Sequence, residues 1–195
     1  RNPGIIYHLG IKAHIFLLRG DLAGAAKTLA QAESAASLEK RLTPMHRSPF
    51  HLSRFLLDIC TLEKNLSSGD AKAMRESRKK AYRSGKTAIK SSFKYAPYRV
   101  ESLRLQGLYY WLSGKQKKAL SCWAKSIKNA VRLHDRVELA RTYMEVGRRL
   151  MEKDSKFRQL LGAAAKDYLE EARAVFVEKA LARDLAEIDK CLDII

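Results

Sequence analysis

Residues Gly107 to Trp123, which read GLYYWLSGKQKKALSCW, have a spacing of small residues that is informative about the fold. Gly114 follows the first glycine by seven residues, Ala119 comes five residues later, and Trp123 comes four residues after that. A small residue within a helix lets a neighbouring helix approach closely, and a glycine tolerates the left-handed backbone of a tight turn. The alanine then gives a small contact from the returning helix, and the tryptophan fills the layer beside it. The spacing therefore predicts two helices joined by a turn at Gly114.

A second stretch near the N-terminus has the same spacing. Its offsets of seven, five, four and three residues match those of the first stretch, in which Ser126 completes the series. Self-similar helical hairpins are the signature of folds that stack repeated units. The members of the second series are Ala13, Gly20, Ala25, Leu29 and Ala32.

Composition points to helices along the whole chain. Alanine and leucine supply 51 of the 195 residues, whereas there are ten glycines and four prolines. Alanine and leucine have high helix propensity, and no run of alternating apolar residues predicts a strand. We therefore predict an all-α fold in one domain, with helix pairs over residues 4–42, 48–95, 98–133 and 135–180 and a capping helix over 181–194.

Local signals place the helix ends and the core. Ser48 and Pro49 are typical of a helix start, the residues 153–157 form a polar connection, and Leu161 is assigned to the helix that follows. Turns are expected near Gly20, Gly69 and Gly114. Large apolar side chains at helical spacing give the predicted core: Leu17, Leu29, Phe55, Leu105, Tyr110, Trp123, Tyr143, Leu169 and Phe176.

The two matching stretches resemble the tetratricopeptide-repeat family. That family places a small and an aromatic residue in the first helix of each pair, then a glycine, an alanine and a large residue. The resemblance implies a right-handed superhelix of about four antiparallel helix pairs with a C-terminal capping helix. It rests on Ala13, Phe16, Gly20, Ala25, Leu29 and Ala32, and on Gly107, Tyr110, Gly114, Ala119 and Trp123.

A narrower resemblance covers residues 99–192. The runs RVESLRLQGLYYWLSGKQKKALSCWAKSI, ELARTYMEVGRRL and DYLEEARAVF are similar to the C-terminal repeats of large signalling proteins. Those proteins carry a nucleotide cyclase or protein kinase domain ahead of an NTPase module. The resemblance implies a protein-interaction scaffold in signal transduction. Because the chain starts Arg-Asn-Pro without methionine, we also expect it to be a fragment of a longer protein.

The repeat family implies where a partner would bind. First helices of its pairs line a concave groove that holds peptides, and this register puts Tyr7, His14, Arg104, Leu108 and Trp111 on the groove. For Trp111 a core position is an equal alternative. Members that bind chaperone tails clamp a terminal carboxylate with lysine and asparagine. Arg104 is a candidate cation for such a clamp, but Leu108 replaces the asparagine, so we do not expect the clamp.

The most distinctive surface feature is a line of cations. The chain has a formal net charge of +17, and most of it lies in residues 70–153, which contain 22 basic and seven acidic side chains. Seven of these cations step by three or four residues, which places them along one side of a helix. We call this line the basic ridge: Lys72, Arg75, Lys79, Arg83, Lys86, Lys90 and Lys94.

Three interpretations of the basic ridge stay open. It is a solvated outer surface, or a docking surface for an acidic segment of a partner or of the parent chain, or a contact for nucleic acid or anionic lipid. Proteins that bind single-stranded nucleic acid usually have exposed aromatic side chains on which the bases stack. Tyr82 and Phe93 are predicted to lean towards the apolar side, which disfavours nucleic acid.

No catalytic or ligand-binding motif is found in the sequence. Gly85-Lys86-Thr87 has the end of a phosphate loop without its first glycine, and the five histidines show no metal-ligand spacing. We therefore expect no enzyme activity, no metal and no cofactor in this chain. The three cysteines lack CxxC spacing and favour free thiols in a reducing, cytoplasmic setting, and no apolar run is long enough for a transmembrane segment.

Overall fold

A computed structural model describes residues 3–39 and 42–193. Within that part of the chain nine α-helices follow one another, with a short 3-10 helix, Ala96–Tyr98, before the fifth. The prediction of an all-α fold is confirmed apart from one β-hairpin, whose two strands have two residues each. The helices are α1 (Gly4–Leu18), α2 (Leu22–Ser37), α3 (Pro44–Ser68), α4 (Ala71–Lys94), α5 (Arg99–Leu112), α6 (Gln116–Leu133), α7 (Arg136–Leu150), α8 (Ala165–Glu178) and α9 (Ala182–Leu192).

The chain divides into two compact units, and the division falls within α5. Unit 1 comprises residues 1–105 and unit 2 comprises residues 106–195. None of the helices in residues 3–39 and 42–193 combines the length and the apolar character that crossing a bilayer requires. The prediction of a single repeat domain stays a prediction.

Unit 1 is organised around α3, which packs against α1, α2 and α4. At Gly10 the backbones of α1 and α3 come into direct contact, because a Cβ there would lie 2.5 Å from the backbone nitrogen of Phe50. Ser53 strengthens this contact by donating a 2.9 Å hydrogen bond to the Gly10 carbonyl. On the other side of α3, the Phe55 ring fills the space that a side chain at Gly85 would need. Small residues therefore set both helix contacts.

Unit 2 is built from successive contacts of α6 with α7, α7 with α8, and α8 with α9. Its first close approach is the predicted one, since Gly107 faces the Trp123 indole and a Cβ at that position would overlap it. Trp123 is fully buried, and its ring lies 5.5 Å from that of Trp111. The second close approach is at Gly147, against Leu169 of α8.

The predicted turns and most of the predicted core are confirmed. Gly20, Gly69 and Gly114 have φ values of 77°, 73° and 73°, in the left-handed region that favours glycine. Tyr110 and Tyr143 are partly buried at the edge of the unit 2 core. The other predicted core residues are buried: Leu17, Leu29, Phe55, Leu105, Trp123, Leu169 and Phe176.

Two predicted helix starts are wrong. Helix α3 begins at Pro44, so Ser48 and Pro49 lie inside it and are buried. Pro44 takes the first-turn position that suits proline, and the Ser48 hydroxyl donates to the Pro44 carbonyl at 2.7 Å instead of capping a helix. Helix α8 begins at Ala165, after strands β1 (Gln159–Leu160) and β2 (Ala163–Ala164). Leu161 lies in the hairpin turn with φ 50° and is exposed, because β1 and β2 pair before the helix starts.

Candidate anion-binding surface

Helix α4 is the platform of the basic ridge. Its first turn is capped by Asp70, whose carboxylate accepts hydrogen bonds from the backbone nitrogens of Lys72 and Ala73 at 2.9 and 3.0 Å. A carboxylate also stabilises the positive end of the helix dipole. The side of α4 that is turned inward carries small buried residues: Ser77, Ala81, Gly85, Ala88 and Ser92. With this strip in the core, the residues on the opposite side of the helix face solvent.

All seven cations of the basic ridge are exposed. Within the part of the chain that the structure describes, none of them takes part in an ion pair. Glu76 is the one acidic residue among the 24 of α4, which has nine basic residues in all. The ridge therefore presents concentrated positive charge, and Glu76 is the one carboxylate on the same helix that could offset part of it.

Two aromatic side chains beside the basic ridge are exposed, which contradicts the sequence prediction. Tyr82 has 51% and Phe93 has 63% of its surface accessible. The buried strip of α4 consists of small residues and is narrow, so larger side chains on its flank stay outside the core. Arg99 packs over the Phe93 ring at 5.3 Å from the ring centre and donates a 2.8 Å hydrogen bond to the Phe93 carbonyl.

A cleft lies between the start of α3 and the C-terminal half of α4, and we call it the α3–α4 cleft. Its volume is about 580 Å³. Three cations of the basic ridge line it from α4, and Arg47 lines it from α3; no Asp or Glu is among the described lining residues. The lining residues are Leu42, Pro44, Arg47, His51, Lys86, Thr87, Lys90, Ser91 and Lys94.

His51 is a partly buried histidine that lines this cleft. Burial, and secondarily the positive charge of Arg47, lower the pKa of His51 to about 4. The imidazole is therefore neutral at pH 7, and the positive charge of the cleft comes from its arginine and lysines. Sequence reasoning missed both Arg47 and His51. Their spacing of four residues, which places them on one side of α3, is the signal that points to them.

Two predicted groove residues, His14 and Arg104, come together in unit 1 around Glu101. Its Oε1 lies 3.7 Å from His14 Nε2 and 3.2 Å from an Arg104 nitrogen. Tyr7 interacts with Tyr98, whose pKa is raised by burial first, then by the hydrogen bond to Tyr7, and also by the negative charge of Glu101. A cavity of about 100 Å³ lies beside His14 and Glu101. Because Glu101 already pairs with Arg104, this arginine is a poor clamp for a partner's carboxylate.

The other two predicted groove residues do not face solvent, which corrects their assignment. Leu108 and Trp111 are buried, with 6% and 5% of their surface accessible to solvent. The Trp111 indole nitrogen donates a 2.6 Å hydrogen bond to the Glu152 carboxylate, and its ring packs in the core of unit 2. Of the two interpretations left open for Trp111, the core position is therefore the correct one.

Comparison of the chain with protein-family models, with curated proteins and with solved structures gave no match. The resemblance to tetratricopeptide repeats and to repeats of signalling proteins stays a prediction. A functional proposal therefore has to rest on the charge and shape of the surface.

Proposed function

We propose that this chain is a non-catalytic interaction module that binds an acidic polypeptide segment along the basic ridge. The observation that carries the proposal is the line of seven exposed cations on α4, none of which has a carboxylate partner among residues 3–39 and 42–193. The segment belongs to a separate protein or to another domain of a longer signalling protein. The repeated small-residue spacing of the helices supports a tetratricopeptide-like superhelix as the scaffold that presents the ridge.

Electrostatics favours a binding role over a merely solvated surface. Like charges separated by four residues on a helix destabilise it by about 0.2–0.5 kcal/mol per pair. Solubility is obtained at lower cost when charges of both signs are interspersed. On α4 the cations are instead aligned, which concentrates the positive potential where an anionic partner would lie. A partner that neutralises the ridge relieves this repulsion.

The length of the basic ridge fits an extended peptide. From Lys72 to Lys94 the helix rises about 33 Å, at about 1.5 Å per residue. A peptide of about ten residues in extended conformation has the same length. We therefore choose a fluorescein-labelled, glutamate-rich dodecapeptide as the probe and measure its binding to the full chain by fluorescence anisotropy.

The test compares two variants with the same change of net charge. In the first, the ridge residues Arg75, Lys79, Arg83 and Lys86 are replaced by glutamine. In the second, four exposed lysines outside the ridge are replaced in the same way: Lys115, Lys117, Lys125 and Lys128. We expect the ridge variant to lose at least tenfold in affinity and the control to lose less than threefold. Equal losses in the two variants would mean that overall charge drives binding and would refute the proposal.

Single-stranded nucleic acid is a second candidate partner, favoured by the exposure of Tyr82 and Phe93 beside the ridge. Stacking of a base on an aromatic side chain contributes about 1–3 kcal/mol. If nucleic acid is the partner, an oligothymidine probe binds more tightly than the peptide, and replacing Tyr82 and Phe93 by alanine weakens it at least tenfold. Peptide binding should not respond to these two substitutions, since carboxylates gain nothing from stacking.

A further inference from the structure

The α3–α4 cleft extends the basic ridge at its C-terminal end. Lys86, Lys90 and Lys94 belong to both, while Arg47 adds a guanidinium from α3 across the cleft. Arg47 is exposed, and no ion pair or side-chain hydrogen bond of Arg47 is present in the described part of the chain. Cations from two helices thus surround one volume.

The hydroxyl groups of the cleft already donate their protons within the protein. Ser48 donates to the Pro44 carbonyl at 2.7 Å, so in its 2.8 Å contact with Ser91 it accepts, and Ser91 is the donor. Thr87 donates to the Arg83 carbonyl at 3.2 Å. The donors left for a ligand are therefore the guanidinium, the ammonium groups and a ring nitrogen of His51. Such a donor set selects a ligand by negative charge.

The number of cations indicates how much negative charge the ligand carries. A carboxylate has one negative charge and two acceptor oxygens, which one or two cations satisfy. A phosphate monoester carries a charge of about −1.5 to −2 at pH 7 and has three strong acceptor oxygens, so it matches several cations at once. Clusters that contain arginine are a recurring means of recognising phosphorylated segments.

We propose that the α3–α4 cleft binds the phosphate group of a phosphorylated polypeptide segment, held by Arg47, Lys86 and Lys90. This inference rests on the proposed function, since the flanking acidic residues of the segment lie along the basic ridge. The volume of about 580 Å³ accommodates a phosphorylated side chain together with its neighbours. Leu42 and Pro44 give apolar contact for the rest of the segment.

A polypeptide fits this cleft better than a nucleic acid does. Single-stranded nucleic acid requires aromatic surfaces on which bases stack. Neither Tyr82 nor Phe93 is among the residues that line the cleft. If a base stacked on either ring, the cations of the cleft would contact only the phosphate backbone of the nucleic acid.

The test uses two dodecapeptides of one glutamate-rich sequence, with either serine or phosphoserine at the centre. Binding of each to the full chain is measured by fluorescence anisotropy at constant ionic strength. We expect the phosphorylated peptide to bind at least tenfold more tightly. Arg47→Gln should reduce this preference to less than threefold while the affinity for the serine peptide stays within threefold. Arg47→Lys, which keeps the charge without the planar guanidinium, should restore part of the preference.

Arg75→Gln is the matched control, because Arg75 lies on the basic ridge outside the lining of the cleft. It should weaken both peptides by the same factor and leave their ratio unchanged. Far-UV circular dichroism verifies that each variant keeps its helix content. Since Arg47 and Arg75 are both exposed, neither change removes a core contact.

Three results would overturn the inference. The first is equal affinity of the two peptides; ridge-dependent binding of both would then still support the proposed function. The second is a preference that Arg75→Gln abolishes as well as Arg47→Gln does. The third is displacement of the phosphopeptide by inorganic phosphate at the same concentration as the peptide itself, which would identify a site for the free ion. If neither peptide binds, the proposed function fails together with the inference.

Discussion

In unit 2, Arg149 lies between two carboxylates, with nitrogen–oxygen distances of 2.7 Å to Glu145 and 2.6 Å to Glu152. In unit 1, by contrast, the cations of the basic ridge have no ion-pair partner within the described residues. The Arg149 side chain is 12% exposed, whereas all seven ridge residues are exposed. A buried charge requires a partner because desolvation is costly, but a solvated one does not. The comparison thus separates cations that stabilise the fold from cations that are available to a ligand.

Other arginines of unit 2 follow the same rule. Arg141 connects α7 with α9 through two 3.1 Å hydrogen bonds to Asp184, and it also contacts Glu138. Burial alone would lower the pKa of Arg149, but Glu145 and Glu152 outweigh burial and raise it. In unit 1 the opposite occurs at His51, where burial and Arg47 both disfavour the protonated form. The partly buried arginines of unit 2 are therefore compensated by carboxylates, whereas the exposed cations of the basic ridge are not.

The largest loss of folding stability is expected when Arg149 is separated from its two carboxylate partners. Arg149→Met removes the guanidinium that Glu145 and Glu152 share, and breaking a buried pair from one side costs about 3 kcal/mol or more. The sequence contains two tryptophans, Trp111 and Trp123, and both lie in unit 2, so urea unfolding followed by tryptophan fluorescence reports on that unit.

A matched control for this variant is Arg136→Gln. Arg136 pairs with Glu178, but the two side chains are 54% and 47% exposed. Exposed pairs contribute about 0–1 kcal/mol, so the control should lose no more than about 1 kcal/mol. A loss below 1 kcal/mol for Arg149→Met would show that burial does not distinguish the two kinds of cation.

The sequence predicted those parts of the molecule that depend on local spacing. The turns at Gly20 and Gly114 follow from backbone freedom, and the burial of Trp123 follows from the small residue opposite it. The ridge was visible because residues three or four apart share one side of a helix whatever packs behind it. By contrast, the start of α3 depends on competition between two prolines, and single-position rules do not decide between them.

The α3–α4 cleft was not predictable for a different reason. Arg47 and Lys90 are 43 positions apart in the sequence and come together only because α3 and α4 pack against each other. The exposure of Tyr82 likewise depends on the width of the strip that α3 covers. Both are consequences of packing, which the spacing of charges along one helix does not contain.

An intermediate effect is expected from pH at His51. The pKa of His51 is about 4 in the folded protein and about 6.5 when unfolded, so below pH 6.5 the unfolded state binds more protons. Folding stability from this group is therefore full above pH 6.5 and falls as the pH decreases towards 4. Between pH 7 and pH 5 the loss amounts to about 2 kcal/mol.

His51→Gln removes the titrating imidazole and therefore provides the control. Urea unfolding followed by far-UV circular dichroism at pH 7 and pH 5 should show a smaller loss of stability in the variant than in the wild type. Other titrating groups, such as Asp58, contribute equally to both chains and cancel in the comparison. Identical pH dependence in the two chains would mean that burial and Arg47 do not lower the pKa of His51 in the folded protein.

The smallest effect is expected on the ridge itself, and it bears most directly on the comparison. Replacing Lys79 and Arg83 by glutamine removes two exposed cations that make no ion pair in the described structure. The free energy of unfolding should change by no more than about 0.5 kcal/mol. Its sign should be stabilising at low salt, because like charges four residues apart repel, and the gain should disappear at high salt as screening increases. A destabilisation above 1 kcal/mol would mean that Lys79 and Arg83 stabilise the fold, as Arg149 does. The contrast between structural cations and cations available to a partner would then fail at the ridge.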